Sequence, residues 1–169
     1  GGTERPATTG QGSEAVTEKA IDSPTTTAIK VSKSEEIPGL THIDGASGFW
    51  DSWDADIEND GMLVGFSFND AAGEYISFED IPIDVTIKLF TIKRDDNFKE
   101  IKDREVYSGT ARIYSDLDAN EFSGGIRVPK EEIKVDPSVD DRFGWIEVTI
   151  TTPKQGSFST RGTLISLYE

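Results

Sequence analysis

Apolar side chains that alternate with polar ones constrain the fold of this chain more than any other feature. The alternation covers residues 62–68, 83–89 and 146–150. Successive side chains of a β-strand point to opposite faces, so a period of two places one apolar set on a core face. Gly, Asp, Asn and Pro, which favour turns, separate these segments. The pattern therefore predicts antiparallel strands.

Further segments extend this pattern along the chain. Residues 104–115 predict a strand with mixed facing, Ile126 and Val128 a short strand, and residues 158–168 a long final strand. The turn at residues 69–73 predicts a hairpin whose second strand is residues 74–78. Residues 130–134 predict one helical turn at most. Short strands with turn residues between them predict an all-β fold, an antiparallel β-sandwich over residues 41–169.

Residues 1–40 differ in composition from the remainder of the chain. They are rich in Thr, Ser, Gly, Glu and Pro and contain almost no large apolar residues. Such a segment cannot bury enough surface to offset the entropy of ordering it. We therefore expect a disordered N-terminal tether that ends near Leu40.

The charge and composition exclude several classes of function. The 169 residues carry a formal net charge of −15, which argues against nucleic acid or an anionic membrane surface as a partner. The sequence has no cysteine, so disulfides and thiolate chemistry are excluded, and His42 is its single histidine. No apolar run approaches the roughly 20 residues of a membrane helix.

The acidic segment that ends in Asp60-Gly61 and leads into a strand is followed by the turn Asp70-Ala71-Ala72-Gly73. This arrangement, over residues 44–93, resembles the opening of immunoglobulin-like or fibronectin-type domains in prokaryotic surface proteins. The resemblance implies an immunoglobulin-like sandwich that acts in adhesion, spacing or ligand binding. The chain lacks the paired cysteines of immunoglobulin domains proper.

The N-terminal segment carries a second likeness. Gly1-Gly2 followed by a Thr/Ser/Pro-rich stretch resembles, in composition, the region after the lipid-modified cysteine of prokaryotic surface lipoproteins. The resemblance implies an extracytoplasmic, cell-surface location, with membrane contact only through an N-terminal lipid anchor absent from this chain. The alternative is a cloning remnant followed by a disordered tail.

Two indoles precede the first alternating segment and have two interpretations. Trp50 and Trp53 lie beside carboxylates, and an indole next to a carboxylate is suited to stacking on a sugar ring and accepting its hydroxyl groups. The alternative is that one or both indoles cover the edge of the core, as large aromatics often do. The first interpretation makes them candidate ligand-binding residues.

Clustered carboxylates raise calcium as a candidate cofactor, because Ca²⁺ takes six to eight oxygen ligands. The order Asp56-x-Glu58-x-Asp60-Gly61 matches the first half of a helix-loop-helix calcium loop, but its twelfth position is Ser67 instead of a carboxylate. The alternative is a turn with solvated acids, and no other cofactor is predicted. The candidate metal ligands are Asp54, Asp56, Glu58, Asp60, Asp116, Asp118 and Asn120.

The sequence contains no recognisable set of catalytic residues. His42 stands alone, and neither a Gly-x-Ser-x-Gly elbow nor a phosphate-binding glycine loop is present. We therefore expect a non-catalytic, monomeric structural or binding module, with a surface protein or a glycan as partner. A carbohydrate-binding module, with or without calcium, is the first alternative, and a carboxylate-based glycosidase is the second.

Overall fold

The computed structural model describes residues 35–169, so most of the predicted tether lies outside the described part. Seven strands and two short 3₁₀ turns make up its regular structure, and residues 35–169 include no helix long and apolar enough to cross a bilayer. The strands are β1 (His42–Asp51), β2 (Gly61–Asn69), β3 (Ile83–Arg94), β4 (Glu100–Ile113), β5 (Ile126–Pro129), β6 (Phe143–Thr151) and β7 (Ser157–Ser166), and the 3₁₀ turns are Asp116–Ala119 and Lys130–Glu132.

The strands form two antiparallel sheets, which confirms the predicted all-β sandwich. The smaller sheet has the order β1-β2-β5, and the larger one has the order β4-β3-β6-β7. Met62 and Val64 of the smaller sheet share one core with Ile87 and Leu89 of the larger sheet, each at most 2% exposed. The alternation of apolar and polar residues in β2, β3 and β6 therefore identifies the core-facing side of each strand, as predicted.

One prediction on local structure is wrong, and one strand was missed. Residues 74–78 do not form a hairpin strand: only an isolated bridge joins Asn69 to Tyr75, because the Asp70 carboxylate caps the turn and Ile76 makes the last backbone bond to β2. Strand β1 was not predicted, since its glycines and a bulge between Asp44 and Ser47 interrupt the alternation. Pairing with β2 holds it extended.

The folded part includes residues that precede Thr41. Ile37 is fully buried in the core, and the Gln155 side chain binds both sides of its peptide backbone. Its Oε1 accepts from the Ile37 N–H at 2.8 Å, and its Nε2 donates to the Ile37 carbonyl at 3.0 Å. An amide side chain thus replaces a strand partner where the chain enters the sandwich.

Ion pairs protect the exposed edge strand β4. Six of its charged residues pair with groups on neighbouring segments: Glu100 with Arg94, Lys102 with Glu147, Asp103 with Lys93, Arg104 with Asp140, Glu105 with Lys88, and Arg112 with Asp84. Within β4, Val106 accepts a backbone bond from Lys134. Charged side chains on an edge disfavour pairing with another chain.

Asp140 provides a test of acid sensitivity. Its carboxylate is 6% exposed and forms a bidentate pair with Arg104 at 2.7 and 3.0 Å. This hydrogen bond holds the pKa of Asp140 below its usual range, and Ser138 likewise lowers the pKa of Asp136. A carboxyl group whose pKa is lowered by folding stabilises the folded state at pH values above its unfolded pKa of about 3.9. That stabilisation is lost as the pH falls through the pKa of the folded state.

We expect Asp140→Asn to lower stability at pH 7 and to flatten the loss of stability below about pH 4, because the variant has no proton to take up at this site. Urea unfolding between pH 2.5 and 7 measures both effects. Asp141→Asn is the matched control, since its exposed side chain has no partner in the described part of the chain. Parallel pH curves for Asp140→Asn and the wild type contradict the prediction.

Candidate functional site

Trp50 lies against the core edge. It pairs with Met62 in the β1–β2 register, packs partly buried on the core, and donates from Nε1 to the Ser166 carbonyl oxygen at 2.9 Å. Ser166 is the last residue of β7, so the indole joins an edge strand of each sheet. Both the apolar body and the polar tip of this indole have partners within the protein.

Trp53 lies on the outer side of the smaller sheet. A Cβ at Gly61 would come within 2.9 Å of two atoms of the indole, so the absence of a side chain there lets the ring lie on the strand. The Arg127 guanidinium carbon is 5.0 Å from the ring centroid, a cation–π distance. The Nε1 atom is buried and has no hydrogen-bond partner in the described part of the protein.

The carboxylates between Trp53 and β2 bind backbone N–H groups of their own loop. Asp54 accepts from the Asp56 N–H at 3.0 Å, Asp56 from the Glu58 N–H at 2.9 Å, and Asp60 from the Trp53 N–H at 2.6 Å. The Glu58 bond lowers the pKa of Asp56, but desolvation and the nearby Asp54 and Asp60 charges outweigh it and raise that pKa overall. The Glu58 side chain is exposed and takes no part in these bonds.

The second group of predicted metal ligands has a similar structural role. Ser115 and Asp118 form a capping box around the 3₁₀ turn, in which Asp118 accepts from the Ser115 N–H. Asp116 accepts from the Phe78 N–H at 2.9 Å, which ties the 3₁₀ turn to residues 75–78. Asn120 accepts from the Phe122 N–H at 2.8 Å.

Within residues 35–169, no group of three or more His, Cys, Asp or Glu side chains is arranged to hold a metal ion. Each loop keeps its predicted ligands close in sequence, but the oxygens of all of them except Glu58 accept from backbone N–H groups. Asx-type turns of this kind stabilise loops without a cation. Within residues 35–169, no cluster of acidic side chains therefore supports the calcium prediction.

Asp116 and Asn120 instead line a surface groove of about 360 Å³. Of the aromatic residues that line it, Phe66 and Phe68 are buried, whereas Tyr75 and Phe122 are 83% and 88% exposed. Sequence reasoning missed both exposed aromatics. The signal for Phe122 is an aromatic residue within a Ser/Gly/Asn-rich turn, outside any alternating segment, where a core position is not expected.

The groove forms where β2 lacks a full-length neighbouring strand. Strand β5 pairs only with residues 61–64 of β2. Beyond Val64, residues 119–121 cross β2 at Gly65, where a Cβ would come within 2.8 Å of the Ala119 carbonyl oxygen. Ile76 then donates to the Phe68 carbonyl at 2.8 Å. The groove therefore lies between two loops that are both fixed to the same strand.

Phe122 and Glu121 are both supported from β1. The Phe49 ring stacks on the Phe122 ring with 6.5 Å between centroids and 30° between planes. The Ser47 hydroxyl donates a short hydrogen bond to Oε2 of Glu121, whose side chain also lines the groove. One aromatic and one carboxylate are thus positioned by strand residues instead of by their own loop.

The comparisons with known proteins add no relative. No family model, curated protein or solved structure matches this chain.

Proposed function

We propose that this chain is a non-catalytic, monomeric, extracytoplasmic module of a cell surface, with a structural or binding role. The observation that carries the proposal is the pair of exposed aromatic side chains, Tyr75 and Phe122, on loops fixed to a rigid sandwich. Binding residues are often found on loops that a rigid scaffold positions. The Thr/Ser/Pro-rich N-terminal composition supports presentation from a surface, either through a lipid anchor or as a simple tether.

The strand order supports the fibronectin-type form of the resemblance. In a constant immunoglobulin domain the fourth strand lies in the sheet of the first, second and fifth strands. Here β4 lies beside β3 in the larger sheet. Domains with this sandwich architecture include many cell-surface modules, which accords with a role in adhesion, spacing or ligand binding.

The environments of the carboxylates favour binding over catalysis. A glycosidase needs one carboxyl group with a raised pKa beside the substrate and a second one opposite it. Asp56 has a raised pKa, but it lies on an exposed loop and does not line the groove. The two carboxylates that do line the groove are held in place as hydrogen-bond acceptors, Asp116 by the Phe78 N–H and Glu121 by the Ser47 hydroxyl. A glycosidase is therefore the weaker alternative.

Titration of the ¹⁵N-labelled full chain with two separate panels tests the proposal. One panel contains soluble xylan, mannan and β-glucan, and the other contains gelatin and collagen peptides. We expect saturable amide shifts on the outer side of the smaller sheet with one panel, unchanged by calcium or by a chelator. Mass spectrometry of the mixtures should detect no product.

Product formation above the buffer level contradicts a non-catalytic role. A lack of amide shifts with both panels contradicts a binding role. A shift that requires calcium and maps to residues 54–60 or 116–120 restores the metal as a cofactor.

A further inference from the structure

We propose that the groove between Tyr75 and Phe122 is a binding site for a neutral glycan. This inference rests on the proposed binding function and names its ligand class. The groove volume of about 360 Å³ is within the range of small-ligand sites, roughly 300–1,000 Å³. It is suited to one or two sugar rings of a longer chain.

The two aromatics provide stacking surfaces. Tyr75 follows the turn capped by Asp70 and is joined by a backbone bridge to Asn69, so its position relative to β2 is fixed. Phe122 is backed by the ring of Phe49. The C–H groups on a pyranose face are an apolar surface that an aromatic ring can cover, and the contact with Phe49 reduces the entropy that the Phe122 ring loses on binding.

The polar groups between the aromatics match hydroxyl groups. Asp116 and Glu121 present carboxylate oxygens as acceptors, and Asn120 adds an amide whose oxygen already accepts from the backbone, which leaves its NH₂ group for a ligand. Sugar hydroxyls donate and accept at neighbouring carbons, so a mixed set of acceptors and donors suits them.

The charge of the groove selects among glycans. Its lining includes Asp116 and Glu121 but no Lys, Arg or His. A uronate or a sulfated sugar would therefore meet like charges without a cation to pair with, which opposes binding. Neutral sugars avoid this repulsion, so the geometry points to an uncharged polysaccharide.

A polypeptide strand is the competing occupant, and the edge of β2 disfavours it. Strand addition needs a row of unpaired backbone groups. Ile76 already binds the Phe68 carbonyl on this edge, and residues 119–121 cover Gly65. Recognition in the groove must then come from side chains, as in sugar binding.

Affinity electrophoresis and NMR titration with neutral β-1,4-glucan, xylan and mannan oligosaccharides test the inference, with polygalacturonate as the acidic comparison. We expect at least one neutral oligosaccharide to shift the amides of Tyr75, Asn120 and Phe122. Tyr75→Ala and Phe122→Ala should each weaken that binding at least tenfold, which corresponds to about 1.4 kcal/mol. Polygalacturonate should not bind.

Phe98→Ala is the matched control, because Phe98 is 81% exposed in the β3–β4 turn, a full β4 length from the groove. It should leave binding unchanged, and Phe122→Tyr should retain it. Equal binding by the wild type and both groove variants, or no binding of any neutral oligosaccharide, overturns the inference. Binding of gelatin or collagen alone also overturns it, while the binding module proposed above would stand.

Discussion

Replacing Phe68 with alanine is expected to lower the free energy of unfolding by about 3–5 kcal/mol, a large part of the total stability of a domain this size. Phe68 is 1% exposed. Its ring lies 5.3 Å from that of Phe66 and 4.8 Å from that of Phe78, in an edge-to-face arrangement with Phe78. The substitution removes transfer free energy and leaves a cavity between β2 and residues 75–78.

Urea unfolding followed by indole fluorescence measures this loss. Phe122→Ala is the matched control, because it removes the same ring from an 88% exposed position and should change stability by less than about 0.5 kcal/mol. Phe68→Leu should fall between the two and keeps the comparison measurable if the alanine variant does not fold. Similar losses for Phe68→Ala and Phe122→Ala contradict the packing described here.

Gly162→Ala is expected to destabilise the protein by about 1–3 kcal/mol through overpacking. A Cβ at Gly162 would overlap the carbonyl oxygen of Ala46 on β1 and come within 2.9 Å of the Ile146 side chain. Strands β1 and β7 belong to different sheets, and this glycine lets their backbones approach closely. The added methyl group has to push β1 outward, because a strand carbonyl cannot turn aside as a side chain can.

Amide hydrogen exchange of β1, measured with urea unfolding, tests this prediction, since β1 should open before β3 and β6. Gly109→Ala is the matched control. A Cβ there would overlap the hydroxyl group at the end of the Tyr107 side chain, which can rotate away, so the loss should be smaller. A larger loss for Gly109→Ala than for Gly162→Ala contradicts the proposed approach of the two sheets.

The short strand β5 accounts for the groove. Because β4 pairs with β3, the smaller sheet ends at the four-residue strand β5. The last part of β2 is therefore covered by loops instead of a strand, and these loops carry Tyr75 and Phe122. The shortness of β5 thus leaves open the cavity that we propose as the ligand site.

The candidate site was predictable only in part. The sequence singled out Asp116 and Asn120 as site residues, and both line the groove, although it assigned them to a metal. Trp50 and Trp53, the aromatics most conspicuous in the sequence, are held against Ser166 and Gly61 within the protein. The sequence pattern of an indole beside a carboxylate is the same whether the ring contacts a ligand or packs against a strand.

The sequence by itself determined the all-β class, most strand positions and the core faces of β2, β3 and β6. The alternation of apolar and polar side chains follows from the geometry of each strand, and the apolar set is the one buried in the sandwich. Tertiary structure alone decided the position of strand β1, the irregular course of residues 74–78 and the shared groove of Tyr75 and Phe122. They depend on which strands pair and which loops cross them, and these contacts join residues far apart in the chain, where local periodicity carries no information.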